Sequence, residues 1–149
     1  MPQYATNKKA HFEYEILDIY EAGFVLTGEE VKSIRAGHIN MAGAFVTFHN
    51  DEAFISNLHI SKYKNSNPKK EYEPERTRKL LLSHKEINYL RGKNQEKGLT
   101  IVPLSVYTKG PYIKVEIGLA KGKKLHDKRK TIQDREEKKT MGRALKGNY

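Results

Sequence analysis

Lys121-Gly122-Lys123-Lys124 sets three ammonium groups around one glycine, and His126, Asp127, Lys128 and Arg129 follow directly. Gly122 puts no side chain in the way, so phosphate oxygens can come close to the backbone between the lysines. His126 is either an idle residue or a planar ring able to stack on an unpaired base. A run of this kind also reads as a solvated charged segment that blunts aggregation, and by charge alone the two readings weigh equally. The distribution of charge favours binding. Residues 1–120 carry 17 Lys/Arg against 14 Asp/Glu, whereas residues 121–149 carry 11 against 4, so a fifth of the chain holds most of the formal +10. Leu125, Ile132, Met141 and Leu145 are the sizeable aliphatic side chains of that segment, too few and too unevenly spaced to bury a helix face. A basic tail, disordered until an acidic partner orders it, is expected over 121–149. If it neutralises about six phosphates, binding should weaken with salt at a slope near −0.7 per single-strand contact.

Catalytic patterns are missing. The chain has no Cys, which excludes disulfides, thiolate metal sites and Cys nucleophiles. The six His, at 11, 38, 49, 59, 84 and 126, form no His-x-x-x-His or HExxH pair, and no phosphate-cradling GxxxxGK[ST] or Gly-Gly-Gln is present. No enzyme, metal or cofactor is expected.

The totals suit one domain of about 120 residues followed by the tail. A strongly basic chain attracts polyanions, with nucleic acid the first reading and an anionic membrane the second. No run of about 18 apolar residues could span a bilayer. The first residues lack a signal peptide's apolar stretch, and a cytoplasmic monomer is expected.

The elements that must position this chemistry are mostly strands. Phe12, Tyr14 and Ile16 alternate with Glu13 and Glu15 and predict a strand at about 12–18. Glu21-Ala22-Gly23 predicts a turn into a short strand at 24–26, leaving Glu21 as a turn carboxylate or an acceptor for base amino groups. A small helix over 29–35 has acids at its start, bases at its end and Gly37 beyond. Ala44 to Phe48 and Ala53 to Ser56 flank a polar connection and predict a hairpin. Residues 61–75 hold no aliphatic side chain and predict a loop, or a segment ordered only by a partner. Residues 76–82 fit strand or helix, with at least two of Leu80, Leu81 and Leu82 in the core. Ser83 and Glu86 form a capping box for a helix at about 84–91. Pro103 marks an edge strand or a bulge in 99–106. Ile113, Val115, Ile117 and Leu119 alternate with Tyr112, Lys114, Glu116 and Gly118, so Lys114 must face away from the core. Six short strands and two small helices point to a small β-barrel of the OB type.

Six blocks, in order, resemble the SmpB family, the tmRNA-binding proteins of bacterial trans-translation. They are Asn7 to His11, Glu21 to Gly23, Gly28 to Gly37, Pro74 to Leu82, Lys97 to Pro103 and Gly122 to Arg129. The resemblance implies a mainly β fold: a small, closed, OB-like barrel over 1–120 with two or three short flanking helices. It implies an adaptor that holds the tRNA-like domain of tmRNA near its elbow, through Glu21, Leu81 and Lys114 with Asn7 and Lys8 beside them. Leu81 then becomes an exposed apolar contact. The tail, through Gly122, Lys123, Lys124, His126, Asp127, Lys128 and Arg129, would occupy the decoding centre and empty mRNA channel of a stalled ribosome. His126 would stack on a small-subunit rRNA base, and 132–139 could become helical there. Alanyl-tRNA synthetase and elongation factor Tu would share the same RNA. Glu73 stands where the family has Asp before the Pro, Ala44-Phe45 replaces a more polar pair, and 140–149 aligns with no family motif. Two rival readings are a generic OB-type translation protein and a peptidyl-tRNA hydrolase.

Overall fold

The computed structural model describes residues 3–122. These form nine strands and three helices: β1 Gln3–Thr6, α1 Lys8–Glu13, β2 Tyr14–Phe24, α2 Gly28–Arg35, β3 Ile39–Asn40, β4 Phe45–His49, β5 Glu52–Ser56, β6 His59–Ile60, β7 Arg78–Leu81, α3 His84–Asn94, β8 Leu99–Lys109 and β9 Tyr112–Gly122. Seven strands make one antiparallel sheet in the order β1-β8-β9-β2-β7-β5-β4, and β3 pairs with β6 separately. The alternation in β9 places Ile113, Val115, Ile117 and Leu119 in the main core with Ala22, Val46, Ile55, Leu80, Ile101 and Val106. From α2 and α3, Ile34, Ile87 and Leu90 cover one part of that core.

The expected closed barrel is not found: the sheet is open. It curls until β4 lies beside β8, yet no ladder joins them. The reason lies on the stretch of β8 before Ser105, which β1 leaves uncovered on that side. Asn7 donates from its backbone N–H to the Leu104 carbonyl and from Nδ2 to the Pro103 carbonyl, both at 2.8 Å. Pro103 has no N–H to offer another strand, and the ladder shifts register between Pro103 and Ser105. A bulge at Pro103 was legible; an edge strand was not, because β8 lies between β1 and β9.

The Asn7 side chain also accepts from Ala10 N–H at 3.1 Å and caps α1. Phe12 therefore belongs to a helix rather than to the first strand. α1 lies over the outer face of the sheet, where Ala10, Val102, Leu104 and Ala120 form a second small core with Tyr14 and Ile16. Burying Leu104 fully is worth about 1.5–3 kcal/mol. Gly118 makes room for it, since a Cβ there would come within 2.8 Å of Leu104 Cδ1.

Glu21-Ala22-Gly23 is no turn: β2 runs through it and pairs with β9 from Tyr14↔Gly122 to Gly23↔Lys114. α2 and α3 both begin with capping boxes, Thr27 with Glu30 and Ser83 with Glu86. α3 continues past Gly92 to Asn94. β9 extends to Gly122, two residues beyond the expected 120/121 boundary.

A buried ion cluster fastens 61–75 to the body. Glu30, 2% exposed, accepts from Arg78 Nε at 2.6 Å and from Arg76, and its Oε1 accepts from Thr27 N–H at 2.9 Å. Arg78, fully buried, also donates to the carbonyls of Leu58 at 2.7 Å and Pro74 at 2.9 Å, and to the Tyr72 hydroxyl at 3.0 Å. Tyr72 in turn donates to the Ile60 carbonyl at 2.7 Å. The expected loop thus has its own internal anchor. Burial alone would raise the Glu30 pKa, but the hydrogen bonds from Arg76, Thr27 and Arg78 outweigh it and hold the carboxyl at about 2.

A group depressed on folding adds stability above its unfolded pKa and loses it as pH falls through the folded value. Urea unfolding measured between pH 6 and pH 2 should therefore show a loss on the order of 3 kcal/mol from this one group below about pH 4.5. Glu30→Gln should flatten that slope, and an unchanged slope would contradict the assignment.

Candidate nucleic-acid interface

Residues directly opposite each other on neighbouring strands share a face. Leu81 pairs with Gly23, Gly23 with Lys114, and Lys114 with Tyr107, so these four form one row across the outer face of β7, β2, β9 and β8. A second row runs Glu21, Glu116, Ser105. α1 covers the other half of this face and leaves these rows open.

Leu81 is 54% exposed, whereas Leu80 is buried and Leu82 half-buried against the core. The triple leucine is thus split as expected, two inward and one outward. Gly23 permits the arrangement, because a Cβ there would stand 3.0 Å from Leu81 Cβ. Here glycine serves close approach across strands rather than a turn. Lys114 faces outward as predicted, its Nζ 5.9 Å from the centre of the Tyr112 ring. A shallow cavity of about 300 Å³ lies between Leu81, Gly23, Lys114 and Tyr112, with Phe24, Leu26 and Val31 behind. An apolar side chain, a bare backbone and a cation around one recess suit an unstacked base and its phosphate.

Glu21 sits one row away. Its carboxylate accepts from the Tyr107 hydroxyl and from Lys109 Nζ at 3.2 Å. The Tyr107 hydrogen bond, then that from Lys109, holds the Glu21 carboxyl below the usual carboxylate range. Burial, reinforced by Glu21, raises the Tyr107 phenol, which stays a neutral donor at physiological pH. Both Glu21 oxygens are therefore occupied within the protein.

Asn7 is 8% exposed, and its side chain is committed to Pro103 and Ala10. Lys8 is exposed at the start of α1, on the same outer face but beside the open rows rather than within them. Gly122 ends β9 opposite Tyr14. Lys123, Lys124, His126, Asp127, Lys128 and Arg129 lie outside the described residues. Lys114 and Gly122 are eight positions apart along one strand, about 26 Å at the usual rise. The segment beyond Gly122 therefore starts far from the Leu81 row. Tyr107, Lys109, Ser105 and Glu116 join the face without having been singled out. The alternation of β9 already put Glu116 on Lys114's side, but the β8 partners depend on pairing register.

Among the described residues no group of three His, Asp or Glu side chains is placed to hold a metal ion, and no helix is long and apolar enough to cross a membrane. Comparison with known proteins agrees with the blocks read from the sequence. The family model described as SmpB protein matches residues 4–147. The chain belongs to the SmpB family. It is 53% identical over 140 residues to an SsrA-binding protein of Acaryochloris marina, covering 94% of this chain and 91% of the relative. It is 48% identical over 145 residues to an SsrA-binding protein of Carboxydothermus hydrogenoformans, covering 97% of both. A chain from a solved structure described as "tmRNA-SmpB: a journey to the center of the bacterial ribosome" matches with a TM-score of 0.70 and 44% identity, over 84% of this chain and 87% of that one. Both the family blocks and the fold thus place this chain with SmpB.

Proposed function

We propose that the protein is a non-catalytic adaptor that binds the tRNA-like domain of tmRNA and delivers it to stalled ribosomes for tagging of the incomplete peptide. The observation that carries this is the family match over nearly the whole chain, with relatives named SsrA-binding proteins and a structural neighbour described with tmRNA and the ribosome. Leu81 and Lys114 form the contact: Leu81 packs on an unstacked base, and Lys114 neutralises a phosphate. Glu21 acts by holding Tyr107 and Lys109 in position. Asn7 fixes α1, and through it Lys8, at the rim of the face. The basic residues after Gly122 take the ribosomal role, entering the decoding centre and empty mRNA channel.

The test is affinity for tmRNA against an unrelated structured RNA of equal length at matched salt. A clear preference is expected, and equal affinity would favour a generic RNA-binding translation protein. Leu81→Asp and Lys114→Ala should each weaken tmRNA binding by roughly tenfold, the scale of one stacking or charge-assisted interaction. Both side chains lie on the outer face, so thermal midpoints should stay within a few degrees of the parent. Wild-type affinity in both variants would remove this face from the interface.

A further inference from the structure

One cavity of the outer face has chemistry that phosphate contacts cannot use. It measures about 470 Å³ and is lined by Gln3, Glu21, Ser105, Tyr107 and Glu116. Two carboxylates face each other across the β2–β9 ladder, Glu21 opposite Glu116. They are not equivalent. Glu21 has Tyr107 and Lys109 as donors, whereas Glu116 makes no hydrogen bond or ion pair among the described residues and is half-buried. Ser105, directly opposite Glu116 on β8, is 5% exposed, opens on this cavity and has no side-chain hydrogen-bond partner among the described residues. The Ser105 hydroxyl and the Glu116 carboxylate thus both keep hydrogen-bonding capacity open toward the cavity, and a ligand that brings donors to one and an acceptor to the other can use both.

We infer that this groove receives the Watson–Crick edge of one unpaired guanine, with Glu116 accepting from N1–H and the N2 amino group and Ser105 donating to O6. The inference deepens the RNA-binding reading above and rests on it. A carboxylate repels phosphate, so the ligand atoms that enter must be base or ribose donors. Guanine alone among the four bases offers two adjacent donors that match the two oxygens of a carboxylate, with an acceptor next to them. Ser105 and Glu116, as opposed residues on paired strands, have Cβ atoms roughly 5 Å apart, comparable with the width of that edge. Adenine and cytosine each present an acceptor that would meet Glu116, and uracil presents a single donor. The base-reading carboxylate on this face is therefore Glu116, and Glu21 is a positioning residue.

The experiment uses the full-length protein and tmRNA. Kethoxal, which modifies guanine at N1 and N2, maps free Watson–Crick edges with and without protein. The wild type should protect at least one unpaired guanine that becomes reactive again with Glu116→Gln, whose neutral amide also sets a donor against guanine's donors. Affinity should fall by roughly tenfold in that variant. Replacing the protected guanosine with inosine, which lacks the N2 amino group, should weaken wild-type binding several-fold and leave Glu116→Gln unaffected. Unchanged protection and affinity in Glu116→Gln, or an equal inosine penalty for both proteins, would overturn this inference while tmRNA preference stands. Loss of tmRNA preference by the wild type would instead overturn the proposed function, and this inference with it.

Discussion

Arg78→Met is expected to lower the thermal midpoint by on the order of 10–20 °C, corresponding to roughly 3–5 kcal/mol in a domain of this size. The substitution keeps an unbranched, apolar stem in the site but removes the guanidinium that bonds Glu30, Tyr72 and the Leu58 and Pro74 carbonyls. Arg76 is left as the sole side-chain cation on a carboxylate that is 2% exposed, and the Leu58 carbonyl loses its donor while that of Pro74 keeps only the Ile60 N–H. The coupling is testable in the same scan. Glu30→Gln should cost much less in the Arg78→Met background than in the parent, because it removes the buried charge that Arg78 no longer matches. A drop of only a few degrees for Arg78→Met, or additive costs in the double variant, would mean that the cluster does not hold the 61–75 segment to the body. Two blocks of the family signature, Gly28 to Gly37 and Pro74 to Leu82, meet in this cluster. Part of what reads as a functional signature is therefore the fold's own polar anchor.

A chain ending at Gly122 is expected to keep tmRNA affinity within about threefold of the full chain at moderate salt and to lose tagging of stalled peptides by two orders of magnitude or more. The first half follows from the distance along β9, which puts Lys114 and its row far from the cut. The second follows because residues 123–149 carry 10 Lys/Arg against 4 Asp/Glu and supply the proposed ribosomal contacts. The position of the cut matters. Ending the chain at Gly118 would also remove Leu119 and Ala120, both buried, and the pairing of Lys121 with Glu15 and Leu99. A filter-binding titration and a tagging assay on stalled ribosomes separate the two jobs. If the shortened chain loses tmRNA binding as well, RNA recognition is not confined to the outer face. Any single-strand phosphates that the removed residues neutralise should show as a shallower salt dependence, by about 0.7 in slope for each such phosphate.

Local patterns carried a good deal of this protein. The period-2 run in β9 identified the core side and put Lys114 outside, and the hairpin β4–β5 and the capping box of α3 were legible from neighbouring residues. Glycine was the misleading signal. Gly23 reads as a turn because glycine tolerates positive φ, yet its conformation is that of a strand, and what it provides is space for Leu81. Leu81 itself carried no local mark that separates it from Leu80 and Leu82. Its exposure follows from the register between β2 and β7.

By itself the sequence determined that the chain is mainly β, that its charge is concentrated after residue 120, and that its ordered blocks are those of SmpB. Those properties depend on residue type and near-neighbour spacing, which the linear order contains. The open sheet, the pairing of Glu30 with Arg78 forty-eight residues away, the commitment of Asn7 to β8 and the contrast between an occupied Glu21 and an unpaired Glu116 were decided only by the tertiary structure. Periodicity states which side chains share a face; which partner arrives at that face, and which backbone edge is already bonded, depends on contacts between distant segments.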